Sequence, residues 1–128
     1  MAENLPPQFL IEQKMREITQ NGNYDMVHLF SSEGLPLAEY FKTNVIDRER
    51  LTELSILLKE IQKMADVMGR ISNIKEMIIE GFNHRKIIFR FFRAFNQEVV
   101  LAVVIPPQKP YRSLTNTLVK IIENIEFN

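Results

Sequence analysis

What this 128-residue chain lacks narrows its function before any motif does. It has no cysteine, which excludes disulfide staples and thiolate metal sites and fits folding in a reducing compartment. It has no excess of charge: 16 Lys and Arg offset 16 Asp and Glu, so no overall field draws it to nucleic acid or an anionic membrane. No apolar run approaches the ~20 residues of a membrane span, and "MAENLPPQFLIEQKM" lacks the basic start and unbroken apolar stretch of a signal peptide. The expectation is a soluble cytoplasmic protein of one domain, residues 1–128, with no direct membrane insertion. There is no "GxxxxGK[ST]" phosphate loop, so the chain is not itself expected to bind a nucleotide.

What is present reads as an ordered series of elements. Pro6 and Pro7 introduce a helix carrying Leu10, Ile11, Met15 and Ile18, closed by Asn21-Gly22-Asn23, residue types that tolerate positive φ. In "YDMVHLF", Met26, His28 and Phe30 alternate with Val27 and Leu29, the pattern of a strand covered on both faces. "SSEG" turns the chain into "LPLAEYF", where Pro36 supplies no ladder donor and so places this second strand at a sheet edge. A helix of roughly 37 Å follows, from Asp47 as N-cap to about Ile71. Then come "IKEMIIEG", the turn "FNHR", "KIIFRFFRAF", Asn96-Gln97 and "EVVLAVVI". The last of these strands is apolar throughout Val99 to Ile105 and belongs mid-sheet. A closing helix, Tyr111 to Phe127, bears a stripe of Leu114, Leu118, Ile121, Ile122 and Ile125. The fold class is therefore α+β: a five-stranded antiparallel sheet of order 2-1-5-4-3, the long helix on one face and the terminal helices on the other.

The long helix has more apolar surface than one sheet can use. At 100° per residue, Leu51, Leu54, Leu57, Leu58, Ile61, Met64, Ala65, Met68 and Ile71 fall within an arc of about 160°, and Ile56 and Val67 widen it to about 220°. Packing on one sheet uses about 100°. A second surface, or loops and chain ends folded over the flank, must cover the remainder. The third strand, at the other edge, has no proline, and only Lys75, Glu76 and Glu80 discourage it from pairing with another chain. A two-fold dimer joining third strand to third strand would bury both.

Candidate chemistry is sparse. His28 alternates with Met26 and Phe30 and reads as a core histidine, with no nucleophile beside it. His84 sits in a turn without ligand-spaced carboxylates, so no metal and no cofactor are expected. "HRKIIFRFFRAF" interleaves Arg85, Lys86, Arg90 and Arg93 with phenylalanines, but without the glycines of an RNA-binding strand it reads as a sheet strand with solvated arginines. No catalytic residue is assigned and an enzyme is not expected.

"FSSEGLPLAEYF", the long helix, "MIIEGFNHRKIIFRFF", "EVVLAVVI" and the last amphipathic helix together resemble the Roadblock family of dynein light chains and their prokaryotic relatives. The likeness spans Phe9 to Ile125. It implies a profilin-like, non-enzymatic scaffold that dimerises with itself or a paralogue and binds a small Ras-like GTPase, as a GTPase-activating protein in the bacterial gliding and polarity type or as an anchor elsewhere. A light-chain-like adaptor of a motor complex and a small-molecule sensor are the alternatives. Carried onto this chain, the resemblance puts Leu54, Ile61, Met64, Met68, Met77, Ile78 and Ile79 in the dimer interface. It offers Ser55, Lys59, Gln62, Lys63, Asp66 and Arg70 to the partner. One departure is visible: the polarity type has a central helix rich in small residues, and this one is packed with Leu, Ile, Met and Lys.

Overall fold

The first helix, α1 (Pro7–Gly22), begins with a proline whose missing N–H falls in the first turn, where helix N–H groups have no partner. It ends where Asn23 takes a φ of 56° and the Tyr24 N–H donates to the Thr19 carbonyl at 3.0 Å. The computed structural model describes residues 6–42 and 48–125, apart from the side chains of 48, 49, 51 and 52. Asp47 as a cap, the side chain of Leu51, and Phe127 lie outside the described residues.

Strands β1 (Met26–Ser31) and β2 (Pro36–Phe41) form the expected hairpin. Gly34 turns it with a φ of 93°, and the Ser31 hydroxyl oxygen accepts from the N–H of Leu35 at 3.1 Å. After α2 (Arg48–Gly69) come β3 (Glu76–Glu80), β4 (Lys86–Ala94), β5 (Gln97–Ile105) and α3 (Arg112–Asn124). The sheet is antiparallel in the order β2-β1-β5-β4-β3, as the apolar run of β5 and Pro36 of β2 predict. Local details differ from the sequence reading. The β4–β5 turn is Phe95-Asn96, both at positive φ (58° and 60°), with Gln97 already in β5. Helix α2 stops at Gly69, two residues early: Arg70, not the glycine, takes positive φ, and its N–H donates to the Asp66 carbonyl at 2.9 Å. Arg90 is buried rather than solvated, because its Nε meets Glu76 Oε2 at 2.5 Å across the β3–β4 ladder.

Both faces of the central strands are buried, by different means. Ile11, Met15 and Ile18 of α1 and Leu118 and Ile122 of α3 close over Val27, Leu29, Leu101, Val103 and Ile88. On the opposite face Met26, Phe30, Phe89, Val100 and Ala102 meet Leu58 of α2. His28 lies on this second face, buried near the rings of Phe30 and Phe41, with Nδ1 at 3.2 Å from Glu39 Oε2.

Candidate functional site

Leu58 and Ser55 are the only α2 side chains fully buried among the described residues. Taking Leu58 as the direction of the sheet, Leu54, Ile61 and Ala65 lie within about 60° on one side and Ser55 and Gln62 within about 60° on the other. The helix has thus settled with part of its polar flank toward the sheet. The expected apolar arc is displaced outward: Leu57 and Met64 are exposed, Met68 is 80% exposed, and Val67 on the back is 84% exposed. An apolar stripe open to water over three turns forgoes burial that is worth about 1.5–3 kcal/mol for a fully buried side chain of this size.

Of the residues expected at a dimer interface, Met64, Met68, Ile78 and Ile79 are exposed, while Leu54, Ile61 and Met77 are half-buried. Leu54 and Met77 pack against the Phe89–Leu58 core, so they support the surface from beneath. Strand alternation puts Ile79 on the same sheet face as Met77, beside α2, and Ile78 on the opposite face. Of the residues expected to face a partner, Lys59, Lys63 and Asp66 are exposed and Gln62 is half-buried. Ser55 departs from its assignment at 4% exposure, because the rotation of α2 turns it inward. Arg70 is exposed but lies beyond the helix end rather than on its face.

Ser55, Lys59 and Gln62 instead flank a cleft of about 560 Å³, whose other walls include Asn73, Ile74, Lys75, Phe91 and Val100. It separates the polar flank of α2 from the sheet.

The free edge of β3 has a defined polarity. Phe91 N–H donates to the Lys75 carbonyl and Gly81 N–H to the Arg85 carbonyl, both at 3.0 Å. In an antiparallel ladder bonded and non-bonded positions alternate, so Met77 and Ile79 bond to β4 while Glu76, Ile78 and Glu80 turn their N–H and C=O outward. At the strand's start, Glu76 takes Arg90 on one carboxylate oxygen and Arg112 of α3 on the other, at 2.5 and 3.6 Å. At its far end Phe82 stands fully in solvent on the tip of the hairpin. Sequence reasoning missed both features. A phenylalanine inside the turn "GFNHR" was the available signal for the second; nothing local announces that Glu76 and Arg112 meet.

Among the described residues, no group of three or more His, Asp or Glu side chains is placed to hold a metal ion, and no helix is long and apolar enough to cross a membrane.

No family model matches the chain, and no curated protein matches it. Solved structures do. Myxococcus xanthus MglB is similar over 90% of this chain and 89% of its own, with a TM-score of 0.68 at 16% identity. A structure described as MglB with tetrameric arrangement is similar over 96% and 95%, with a TM-score of 0.69 at 13% identity. A Roadblock/LC7 domain from Streptomyces avermitilis is similar over 87% and 90%, with a TM-score of 0.67 at 13% identity. At these identities the likeness is one of fold: the five-stranded sheet of order 2-1-5-4-3 with its three helices is the Roadblock/LC7 fold.

Proposed function

We propose that this chain is a non-enzymatic dimeric module that binds a small Ras-like GTPase and regulates or anchors it. The observation that carries the reading is apolar surface left open on two neighbouring features of one sheet face: Leu57, Met64 and Met68 of α2 are exposed, and so is Ile79 at the β3 edge, on the face that α2 covers. A second copy placed across that edge continues the sheet and brings two α2 flanks together. The fold shared with MglB structures, one of them described as tetrameric, supports self-association. The GTPase rests on the family resemblance.

In the dimer, Lys59, Lys63 and Asp66 stay in solvent on the other side of α2 and form the partner face. The chain contributes no phosphate loop, so an effect on hydrolysis arises from preferring one arrangement of the GTPase's own switch segments. A tenfold preference for one nucleotide state is worth about 1.4 kcal/mol. The test combines sedimentation equilibrium with titration against Ras-like GTPases loaded with GDP or a non-hydrolysable GTP analogue. Twice the chain mass is expected, with binding that weakens when Lys59 and Lys63 are both reversed to Glu while the dimer persists. Absence of binding in both nucleotide states rejects the GTPase as partner.

The cleft beside Ser55 and Gln62 favours a second reading, a small-molecule sensor, since its size and mixed lining suit a modest ligand. Stabilisation of the wild type by a metabolite panel, lost on Ser55→Leu, would move the assignment there.

A further inference from the structure

Phe82 is the most exposed large apolar side chain among the described residues, at 107%, yet the turn that holds it is ordered by hydrogen bonds. Gly81 N–H donates to the Arg85 carbonyl at 3.0 Å, His84 N–H to the Gly81 carbonyl at 2.9 Å, and Arg85 N–H to Asn83 Oδ1 at 3.1 Å. Turning the chain requires none of this from an aromatic ring, since Asn, Asp, Gly and Ser make such tips more readily.

The ring stands at the end of the open β3 edge, and that edge selects its own register. Its outward backbone groups belong to Glu76, Ile78 and Glu80. A two-fold axis at Ile78 uses all of them, setting Ile78 against itself and Glu76 against Glu80 of a second copy. An axis at Met77 or Ile79 leaves one outward residue of each strand without a partner. The facing carboxylates of Glu76 and Glu80 do not meet bare, because Arg90 and Arg112 already attend Glu76. Past the two ends of the joined strands, this register brings the turn that carries Phe82 up to Ile74, which lies just ahead of β3 in the other copy. Ile74 is half-buried between Asn73 and Lys75, and all three line the cleft.

We infer that Phe82 is a dimer anchor, seated on the Asn73–Lys75 segment of a second copy of this chain. The inference rests on the dimer reading above and goes further in fixing its register and its contact. Two copies of the contact form, one at each end of the joined strands.

Because the chain has no cysteine, single introduced thiols report the register cleanly. Ile78→Cys should cross-link with itself, the Cα atoms of a bonded antiparallel pair lying about 5.5 Å apart, within disulfide range. The double variant Phe82→Cys with Ile74→Cys should cross-link between chains only, since within one chain the two positions lie off opposite ends of β3, whose five strand residues alone span roughly 16 Å, beyond disulfide range. Phe82→Ser should weaken the dimer about tenfold or more while leaving the circular dichroism of the chain unchanged. A dimer that cross-links through Met77→Cys or Ile79→Cys instead, or that Phe82→Ser weakens less than tenfold, overturns the anchor but leaves the dimer standing. A wild-type chain that stays monomeric removes the dimer reading itself.

Discussion

At the β2 edge of the sheet, Pro36 has no N–H to offer, Leu37 is the extra residue of a bulge opposite Phe30, and the N–H of Glu39 is taken by the Glu12 carboxylate of α1 at 3.0 Å. At the β3 edge, Glu76, Ile78 and Glu80 point unpaired backbone groups outward, and Ile78 and Ile79 lie exposed beside them. The helices repeat the contrast. Helix α1 packs along β2 and hides Ile11, Met15 and Ile18, whereas α2 leaves Leu57, Met64, Val67 and Met68 in water. Among the described residues, the β2 edge carries devices that discourage strand pairing and the β3 edge lacks them, and this difference is what the proposed dimer is built on.

The comparison can be broken most severely through the helix that divides the two sides. Leu58→Ala should destabilise the fold by about 2–5 kcal/mol in urea unfolding, since Leu58 is the buried contact of α2 with the sheet. Met68→Ser, only ten residues on, should stay within about 0.5 kcal/mol in the monomer and act on self-association instead. Comparable losses at both positions would mean that α2 is rotated from its described setting.

Proline sharpens the edge argument, because neighbouring positions on β3 face opposite ways. Met77→Pro deletes a donor used by β4 and should cost about 1–3 kcal/mol of stability. Ile78→Pro deletes one that faces outward, so it should abolish dimerisation in sedimentation while leaving the β3–β4 ladder bonds in place. Hydrogen exchange gives the same information without mutation: amides of Ile78 and Glu80 protected only at dimer-forming concentrations support a sealed edge, and fast exchange at all concentrations sinks it.

On the closed side, Glu12→Ala should release the Glu39 amide to exchange and cost about 1–2 kcal/mol. The smallest effect concerns Tyr24, a buried residue whose hydroxyl donates to the Pro110 carbonyl at 3.2 Å. Burial pushes its phenol above the usual 10.0, opposed in part by the Thr115 hydroxyl. A raised folded value means that the native state keeps its proton longer than the unfolded chain. The contribution is complete below about pH 10 and is lost as pH rises through the folded value. Tyr24→Phe should flatten that alkaline decline in melting temperature; an unchanged decline would assign it to other groups.

Much of the fold was legible along the chain because its signals are local. The alternation in β1, the unbroken apolar run of β5, Pro36 and Gly34 each constrain a few consecutive residues, and together they order the strands. The surplus apolar arc of α2 was equally readable, as was the unprotected third strand. Three dimensions decided the rest. A helical wheel gives the angle between Ser55 and Leu58 but not which of them the sheet receives; that follows from how α2 crosses the strands, and it moved Ser55 inward and the apolar flank outward. Glu12 reaches Glu39, and Arg112 reaches Glu76, across 27 and 36 residues of chain, so no window of sequence contains either pair. The sequence by itself determined which elements form and that apolar surface would be left over, because periodicity and backbone chemistry are properties of neighbours. Only the tertiary structure decided which flank faces water and which edge stays open, because those depend on groups that meet after the chain has closed on itself.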